Sequence, residues 1–286
     1  MSRKGKSMKQ ISNGDYSGER ALFKTFDAKI EKCFFHDGES PLKESKNLQI
    51  NQCNFYWKYP LWYCDGVVCN DSLFDINARA GIWYTKNASF DRCRFEAPKL
   101  FRKCSNIKVS NTVFNHGEET FWWNDNIELN NIKVIGNYAF MKCSGIRGKN
   151  VEVEGGYAFD GCNDVELVDS KLITKDAFWN CKKIVCRNCY VECEYFGWNS
   201  EDVTLVNCTV KSHQGFCYMK NIKLVNCKLI ETDLAFEYCK NISALVLSSI
   251  DSIKNPISGK IYCKSYGELI FDDPTIKKEK TEIKII

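Results

Sequence analysis

An all-β fold, a single-stranded parallel β-helix (solenoid) of about twelve coils with 19–21 residues each, is what this sequence predicts. Three observations lead to it. A motif Phe-x-x-Cys-x-x-Ile/Val returns about every nineteen residues, apolar residues alternate within each repeat, and Asn, Asp or Gly occupies two fixed columns. Self-similarity at a fixed period is typical of solenoids, whose units bury their apolar faces only against neighbouring units.

The repeat extends through most of the chain. We take Cys143 as position 0 of its own repeat and number the residues around it from there. Equivalent residues then occur at intervals of 19–21, so that the repeats fill residues 22–250. The position 0 residues are Thr25, Ser45, Cys64, Thr85, Cys104, Asn124, Cys143, Cys162, Cys181, Ser200, Met219 and Cys239.

Six positions of the repeat are predicted to face inward. Position −3 is Leu, Ile or Phe in every repeat except the tenth, which has Gly197, and position +3 is always Ala, Val, Leu or Ile. Position +10 is Phe in the first five repeats and Val or Leu in the next six. The pairs +3/+5 and +8/+10 alternate with period two, as short strands do, whereas gaps of three residues indicate corners. We therefore expect positions −3, 0, +3, +5, +8 and +10 to be buried in coils of three short strands.

The corners carry their own signal. Asn, Asp or Gly stands at position +2 in eleven of the twelve repeats, and Asn or Asp recurs at position +7. These residues tolerate a left-handed backbone or hydrogen-bond to their own turn. Two turn columns five residues apart enclose one short strand, which is the geometry of a solenoid coil.

A leucine-rich-repeat horseshoe is the main competing fold. The inward spacing 0, +3, +5, +8, +10 coincides with the consensus of that repeat, and the fragment Ala-Phe-x-x-Cys is similar to its bacterial Cys-containing variants. However, nineteen residues leave almost no room for a helix on the convex side, and leucine is not the dominant core residue. Repeats of five or six residues do not fit the spacing. The pattern therefore favours the β-helix.

Several longer segments resemble a known family. They are Gly-Glu-Arg-Ala-Leu-Phe (18–23), Asp-Gly-Glu-Ser-Pro-Leu-Lys-Glu-Ser (37–45), Trp-Lys-Tyr-Pro-Leu-Trp-Tyr-Cys (57–64), Ala-Arg-Ala-Gly-Ile-Trp-Tyr-Thr (78–85), Asp-Ala-Phe-Trp-Asn (176–180) and Gly-Trp-Asn-Ser (197–200). This family is an uncharacterised bacterial and protist domain of unknown function, grouped with pectin-lyase-like right-handed parallel β-helix proteins. The resemblance covers nearly the whole chain and implies a right-handed β-helix. It implies no activity, so no catalytic residue can be carried over.

One continuous repeat over 286 residues predicts a single domain. We expect residues 1–17 to form an N-terminal leader or cap, and residues 18–286 to form the β-helix domain with a C-terminal cap from about residue 251. The tail that ends in Ile283-Lys284-Ile285-Ile286 is expected to add a capping strand, because an open solenoid end exposes unpaired strand edges.

The charge and the apolar content of the chain limit the kinds of partner that the sequence predicts. A formal net charge of +4 is too weak and too dispersed to predict nucleic acid binding. No apolar run approaches eighteen residues and the N-terminus lacks the apolar core of a signal peptide. We therefore expect no membrane partner and a cytoplasmic location.

The seventeen cysteines are predicted to be core residues rather than disulfides or ligands. Twelve of them fall at the inward positions 0 and +8, where a free thiol behaves as a small buried apolar group. The odd count argues against a disulfide framework. The spacing of Cys186, Cys189 and Cys193 is superficially similar to a metal site, but the first two occupy inward positions. No metal or cofactor is expected.

Candidate binding residues lie at positions −2 and −1, which should face outward at a corner. Six of the seven tryptophans stand there. Two interpretations are open: the rings of successive coils pack on one another, or they form an exposed strip on which sugar rings stack. Cations near the aromatic residues of repeats three to five would suit an acidic saccharide. The candidates in this region are Lys58, Trp62, Tyr63, Arg79, Trp83, Tyr84, Lys99, Arg102, Glu118 and Trp122.

A second group of candidates occurs later in the chain. Asp176 and Glu194 lie near Trp179 and Trp198 in the repeat pattern, and two carboxylates can act as acid and base or nucleophile on a glycosidic bond. The sequence thus predicts a β-helix protein of unknown function that binds a carbohydrate or another acidic ligand along an aromatic and basic strip. One alternative is a structural or protein-interaction solenoid, which could form oligomers through the strip or its ends. Another is a polysaccharide lyase or glycoside hydrolase, although the repeats lack the long loop insertions that wall such grooves.

Overall fold

The computed structural model describes residues 7–286, within which the chain contains two compact units. The first ends at Gly136 and the second is Asn137–Ile286. Each unit is a right-handed parallel β-solenoid, and the two contain about 15 turns between them. The all-β fold and its single-stranded parallel β-helix architecture are therefore confirmed. The boundaries of a single domain starting at residue 18 stay a prediction.

The first unit is built from strands that pair with the equivalent strand one coil away. For example, Ala28 pairs with Leu48, and Leu48 pairs with Val67, in parallel register. The strands are β1 Lys9–Ser12, β2 Asp15–Tyr16, β3 Phe26–Glu31, β4 Phe34–Phe35, β5 Lys46–Asn51, β6 Asn54–Phe55, β7 Asp65–Asn70, β8 Leu73–Phe74, β9 Lys86–Asp91, β10 Arg94–Phe95, β11 Ser105–Phe114 and β12 Asp125–Ile135.

The second unit repeats the arrangement with longer strands. Its members are β13 Ser144–Ala158, β14 Asn163–Val168, β15 Lys171–Ala177, β16 Lys182–Arg187, β17 Tyr190–Phe196, β18 Glu201–Val206, β19 Thr209–Gly215, β20 Lys220–Ile230, β21 Lys240–Lys254, β22 Gly259–Ile270 and β23 Thr281–Ile285. The one helical segment among residues 7–286 is the short 3-10 turn Lys278–Lys280. A horseshoe is thereby excluded. Nor does the described part of the chain form a helix long and apolar enough to cross a membrane.

The coil count is larger than the twelve predicted because turns without the motif extend the solenoid. Near the N-terminus, β1 pairs with β3 although it lies before the first repeat. Near the C-terminus, β21 pairs with β22 and β22 with β23. The part of the expected leader that comprises residues 1–6 lies outside the described residues.

The predicted inward positions form the core. Positions +3 and +5 are buried in all twelve repeats, and positions −3 and 0 are buried in all but the first repeat, where Leu22 and Thr25 are half-buried. At position +8 the exception is Leu247, which is 45% exposed. The register shifts there, so that Val246 instead of Leu247 pairs with Cys227. One residue fewer in this last repeat turns the next side chain outward.

The turn columns are confirmed by the backbone. Residues at positions +2 and +7 have φ values in the left-handed region, including the non-glycine residues Asn106 (55°) and Asn131 (55°). The asparagine side chains also join successive coils, since Asn126 Nδ2 donates to Asn106 Oδ1 at 2.8 Å and Asn106 donates to Asn87 at the same distance. Asparagine therefore serves both the turn and the ladder between turns.

Two further corners were not predicted. Most residues at position −1 also have a positive φ, and so does the buried phenylalanine at position −3 in later coils, for example Phe140 (58°) and Phe178 (57°). For a bulky residue this left-handed backbone conformation is strained, at a cost on the order of 1–3 kcal/mol. Ring stacking along the column offsets that cost: Phe140 and Phe159 stack at 4.6 Å. Composition gave no hint of these corners because phenylalanine is not a turn residue.

Cysteine at position 0 has a polar role as well as an apolar one. Cys104 Sγ donates to the carbonyl of Ile82 at 3.2 Å, and Asn124 in the next repeat accepts from the Cys104 N–H at 2.8 Å. Ser200 does the same between Cys181 N and the carbonyl of Phe178. Position 0 therefore favours a small side chain that both donates and accepts, because the corner leaves buried backbone groups unpaired. This preference explains why Cys, Ser, Thr or Asn stands there in eleven of the twelve repeats, with Met219 as the exception.

The third side of the coil is less regular than expected. Instead of a third strand, isolated parallel bridges join equivalent residues, such as Trp83 with Arg102 and Arg102 with Trp122. In the second unit, Ala139 and Ala158 form a similar bridge. Backbone hydrogen bonds also join successive coils on this side, since Tyr63 N donates to the carbonyl of Trp83 and Tyr84 N donates to that of Arg102, both at 2.9 Å.

Candidate functional site

In the first unit, the outward corner carries eight side chains that we call the strip. They are Trp62, Tyr63, Trp83, Tyr84, Arg102, Lys103, Trp122 and Trp123. The residues at position −2 are half-buried, and those at position −1 are more exposed, up to 47% for Tyr63. The sequence prediction that this corner faces outward is thus met in part, with the first member of each pair turned inward.

The rings of the strip stack on one another from coil to coil. Trp62 and Trp83 stack with ring centroids 5.2 Å apart and planes 8° apart. Tyr63 and Tyr84 stack at 4.6 Å, also within 8°. Both indole N–H groups are used internally, since Trp62 donates to the carbonyl of Ala80 and Trp83 donates to the carbonyl of Lys99.

Arg102 continues the tryptophan column in the place of a ring. Its guanidinium carbon lies 5.0 Å from the Trp83 ring centroid and 4.4 Å from that of Trp122. Its Nη2 pairs with Glu119, while its Nε is buried without a hydrogen-bond partner among the described residues. The ring faces therefore supply most of the contact around this cation, which is 16% exposed.

Of the other predicted cations, two form ion pairs with glutamates and one is exposed. Lys58 lies 3.4 Å from Glu39, and Lys99 lies 3.4 Å from Glu119. Arg79 is exposed, and Glu118 is half-buried with its carbonyl accepting from Lys99 N. The faces of Trp62 and Trp83 are covered, which favours the interpretation that successive coils pack their rings together. A sugar would meet only ring edges there.

The second unit has a different corner, in which an acid interrupts a column of tyrosines. Asp176 on β15 pairs in register with Tyr157 on β13 and with Tyr195 on β17. Tyr157 in turn stacks on Tyr138 at 5.0 Å with planes 6° apart. The short side chain of Asp176 therefore lies where the repeat elsewhere places a phenol ring. We call the cluster of Tyr157, Asp176, Trp179 and Tyr195 the notch, because the short Asp176 interrupts the tyrosine column there.

Trp179 forms the side wall of the notch. Its ring lies 6.4 Å from that of Tyr157 at 81° and 6.2 Å from that of Tyr195 at 70°. Trp198 extends the wall along the corner, 5.9 Å from Trp179. Two phenol rings on alternate strands thus stand nearly perpendicular to one indole. Neighbouring strands are about 4.8 Å apart, so the phenols are separated by roughly 9.6 Å across Asp176.

Three polar atoms of this coil are buried without a hydrogen-bond partner among residues 7–286. They are Thr174 Oγ1, Asp176 Oδ1 and Trp179 Nε1. Asp176 is only 3% exposed. Burial raises the pKa of its carboxyl to about 6, with Lys175 opposing the rise and Glu194 adding to it. Unpaired buried polar groups are costly in folded proteins, and three of them lie together in this coil.

A groove of about 470 Å³ borders the notch. Its lining includes Thr174, Lys175, Cys193 and Glu194, together with Lys211 and His213 further along. Lys175 also lies over the Tyr157 ring, 5.8 Å from its centroid. Glu194 raises the pKa of Tyr195, after burial, which places it beside that phenol. Lys175 and Glu194 therefore belong to both the groove and the rim of the notch.

The structure brings some predicted residues together and leaves others apart. Asp176, Trp179 and Trp198 share one corner, with Glu194 at its rim, as the sequence suggested. The sequence reasoning missed Tyr157, Tyr195, Thr174 and Lys175. A signal was present, because Tyr138, Tyr157, Asp176 and Tyr195 recur at intervals of nineteen at position −5. It was overlooked because that position was examined only for cations.

The cysteines are free and buried, all seventeen of them. Burial raises the pKa of Cys64 and that of Cys193 to about 12. Among the described residues no group of three or more His, Cys, Asp or Glu side chains is arranged to hold a metal ion. Cys186 and Cys189 lie at the core positions assigned from the sequence.

Comparison with known proteins gives a family and a weak structural likeness. The family model described as "Protein of unknown function (DUF3737)" matches residues 9–284. No curated protein matches the chain. The crystal structure of PfbA, a surface adhesin of Streptococcus pneumoniae, is 11% identical over 99% of this chain and 85% of that chain, with a TM-score of 0.42. A second structure of that adhesin is 11% identical over 97% and 91%, with a TM-score of 0.23. Likeness at this level carries no functional argument.

Proposed function

This chain belongs to the DUF3737 family of proteins of unknown function, and from that premise we propose that it binds a carbohydrate in the notch of its second unit. The proposal moves the binding site away from the strip of the first unit. It keeps Asp176, Trp179, Glu194 and Trp198 from the sequence prediction and adds the two flanking tyrosines.

The observation that carries the proposal is the pair of unsatisfied atoms in the notch. Asp176 Oδ1 can only accept a hydrogen bond when the carboxylate is ionised, and Trp179 Nε1 can only donate. A sugar hydroxyl donates and accepts through one oxygen, so a single hydroxyl could serve both atoms. Leaving either group unpaired costs about 1–3 kcal/mol, which a ligand of this kind would recover.

The walls of the notch suit a sugar ring in shape and chemistry. The Trp179 ring lies 6.4 Å from the phenol of Tyr157 and 6.2 Å from that of Tyr195, so a sugar ring would pack along Trp179 and not between the two phenols. Sugar rings present apolar C–H faces, which pack on aromatic rings, and polar edges, which reach the floor at Asp176. The adjoining groove, with Thr174 and Lys175 on its lining, offers room for further residues of a chain.

The alternative of a hydrolase is less well supported by this geometry. A glycosidase needs two carboxyl groups that converge on one bond. Asp176 pairs across the strands with Tyr195, so Glu194 stands next to Lys175 in register instead. Side chains alternate along a strand, and the two acids differ accordingly: Asp176 is buried and Glu194 is exposed. The raised pKa of Asp176 alone does not supply the second group.

The test is a glycan array probed with the full chain, followed by calorimetry on any oligosaccharide that binds. Tyr195→Ala and Asp176→Asn should each abolish measurable binding. Tyr84→Ala and Asp125→Asn are matched controls, because they remove a corner tyrosine and an exposed acid of the first unit. Retention of binding by both notch variants, or no binding of any glycan by the wild type, would reject the proposal and leave the interaction-solenoid alternative. Release of reducing ends from a bound oligosaccharide would favour the hydrolase.

A further inference from the structure

The floor of the notch carries a charge that a neutral hydroxyl does not balance. The Asp176 side chain is only 3% exposed, and no donor among the described residues reaches its Oδ1. Glu194 at the rim adds a second negative charge. A buried carboxylate is stabilised best by a partner that is both a hydrogen-bond donor and a cation, because charge-assisted bonds are about twice as strong as neutral ones.

The aromatic walls point to the same kind of partner. A cation is attracted to the faces of tyrosine and tryptophan within about 6 Å of the ring centroid. One face of Tyr157 is covered by Tyr138, and over this ring the Lys175 ammonium lies 5.8 Å from the centroid. The corner thus already holds an ammonium group from its own chain. Lys175 is exposed, and its long side chain can be displaced at little cost.

We infer that the notch recognises a saccharide bearing a free ammonium group, such as a 2-amino-2-deoxy sugar, with Asp176 as its counter-ion. This inference rests on the proposed carbohydrate site and names the class of sugar that it takes. The ammonium of the ligand takes the place of the Lys175 ammonium over the Tyr157 ring and pairs with the Asp176 carboxylate. The sugar ring then lies along Trp179 and its chain continues into the groove.

The affinity for an ammonium sugar should depend on pH, and the direction of that dependence can be predicted. The groups that face Asp176 are Lys175 on its own strand, Tyr157 on β13, and Cys193, Glu194 and Tyr195 on β17. Of these, the carboxyl of Asp176 itself titrates near pH 6 because burial raises its pKa. Affinity for an ammonium sugar should rise as the pH increases through that value, and fall again when the amine of the ligand loses its proton.

The decisive experiment compares two tetrasaccharides that differ only in acetylation, the tetramer of glucosamine and the tetramer of N-acetylglucosamine. Calorimetry on the full chain at pH 6.5 should show the amine tetramer binding at least about tenfold more tightly, which corresponds to one charge-assisted contact. Asp176→Asn should bring binding of the amine tetramer below detection. Lys175→Ala should strengthen binding of the amine tetramer several-fold, because the resident cation no longer competes.

Controls separate this inference from the carbohydrate proposal. Asp125→Asn should leave both affinities unchanged, and added salt should weaken only the amine tetramer. Equal binding of the two tetramers overturns the amino-sugar inference and leaves the carbohydrate site standing. Absence of binding by either tetramer and by every other glycan overturns both. Binding of tetramethylammonium without any saccharide also overturns both, and would make the notch a site for small organic cations.

Discussion

The strip of the first unit and the notch of the second are two versions of the same outward corner. In the strip, each coil supplies a full-length side chain, so Trp62, Trp83, Arg102 and Trp122 fill one another's faces. In the notch, one coil supplies the short Asp176 between two tyrosines, and the column is interrupted. The difference teaches what one short side chain does to a regular solenoid corner: at Asp176 the stacked column is interrupted and polar atoms are left without partners among the described residues.

The comparison also separates stability from function. A filled column is expected to stabilise the folded state and to bind no ligand, because its ring faces already contact one another. An interrupted column leaves buried polar atoms unpaired, at a cost to folding that a ligand can recover. Variants of the two corners should therefore move stability and binding in different directions.

The largest expected effect is the loss of stability on removing Arg102. Arg102→Met should lower the free energy of unfolding by about 2–4 kcal/mol, because Glu119 keeps only Lys99 as a counter-ion and two tryptophan faces lose their cation. Urea unfolding of the wild type and the variant measures this change in the free energy of unfolding. Lys103→Met, one residue further and exposed, is the matched control and should shift the midpoint far less. Equal shifts for the two variants would mean that the strip is not a packed column.

Substitution of Asp176 should change the free energy of unfolding in the opposite direction to substitution of Arg102. Its carboxyl pKa lies near 6 instead of 3.8, so ionisation on folding costs about 1–3 kcal/mol at pH 7.5. Asp176→Asn should therefore raise stability by about that amount. Because the folded pKa is raised, the penalty on the wild type is absent below about pH 4, grows between about pH 4 and pH 6, and stays constant at higher pH. Unfolding curves at pH 3.5 and pH 7.5 check this, and a variant less stable than the wild type at pH 7.5 would contradict it.

Corresponding tyrosines in the two corners should separate stability from binding. Tyr84→Ala removes a ring stacked on Tyr63 and should cost about 0.5–1.5 kcal/mol with no change in glycan affinity. Tyr195→Ala should cost no more than that, yet abolish glycan binding. Urea midpoints and calorimetry on the same preparations give both readings. Loss of binding by Tyr84→Ala would return the binding site to the strip.

The smallest expected difference concerns the thiols, which both units bury alike. Burial raises the pKa of Cys53 in the first unit and of Cys217 in the second to about 12. At pH 8 the folded protein should therefore react negligibly with a thiol reagent, and the unfolded protein should react at all seventeen cysteines. Rapid reaction of thiols confined to one unit would show that its core is open.

Much of the fold could be predicted from the sequence because its period is carried by many residues at once. The inward columns and the turn asparagines recur in every coil, so an error at Leu247 or a half-buried Leu22 does not obscure the pattern. The extra turns at the two ends could not be predicted, since β1 and β23 pair through backbone groups and carry no motif. The positive φ of Phe140 was equally hidden, because stacking overrides its local preference.

The candidate site was predicted less well for a related reason. Asp176, Trp179, Glu194 and Trp198 drew attention as residue types that bind sugars, as did the residues of the strip. Residue type alone does not tell an exposed ring face from a covered one. Whether Trp83 offers a face depends on the residue nineteen or so positions away that lies against it.

The sequence by itself determined that the chain is a parallel β-helix, which columns form its core and which residues turn its corners. These follow from periodicity, since each position sees the same neighbours in every coil. Only the tertiary structure decided which corner is a continuous column and which is interrupted. That depends on the lengths of side chains stacked about 4.8 Å apart, where one short residue between two tyrosines leaves buried polar atoms unpaired in a way that no single repeat reveals.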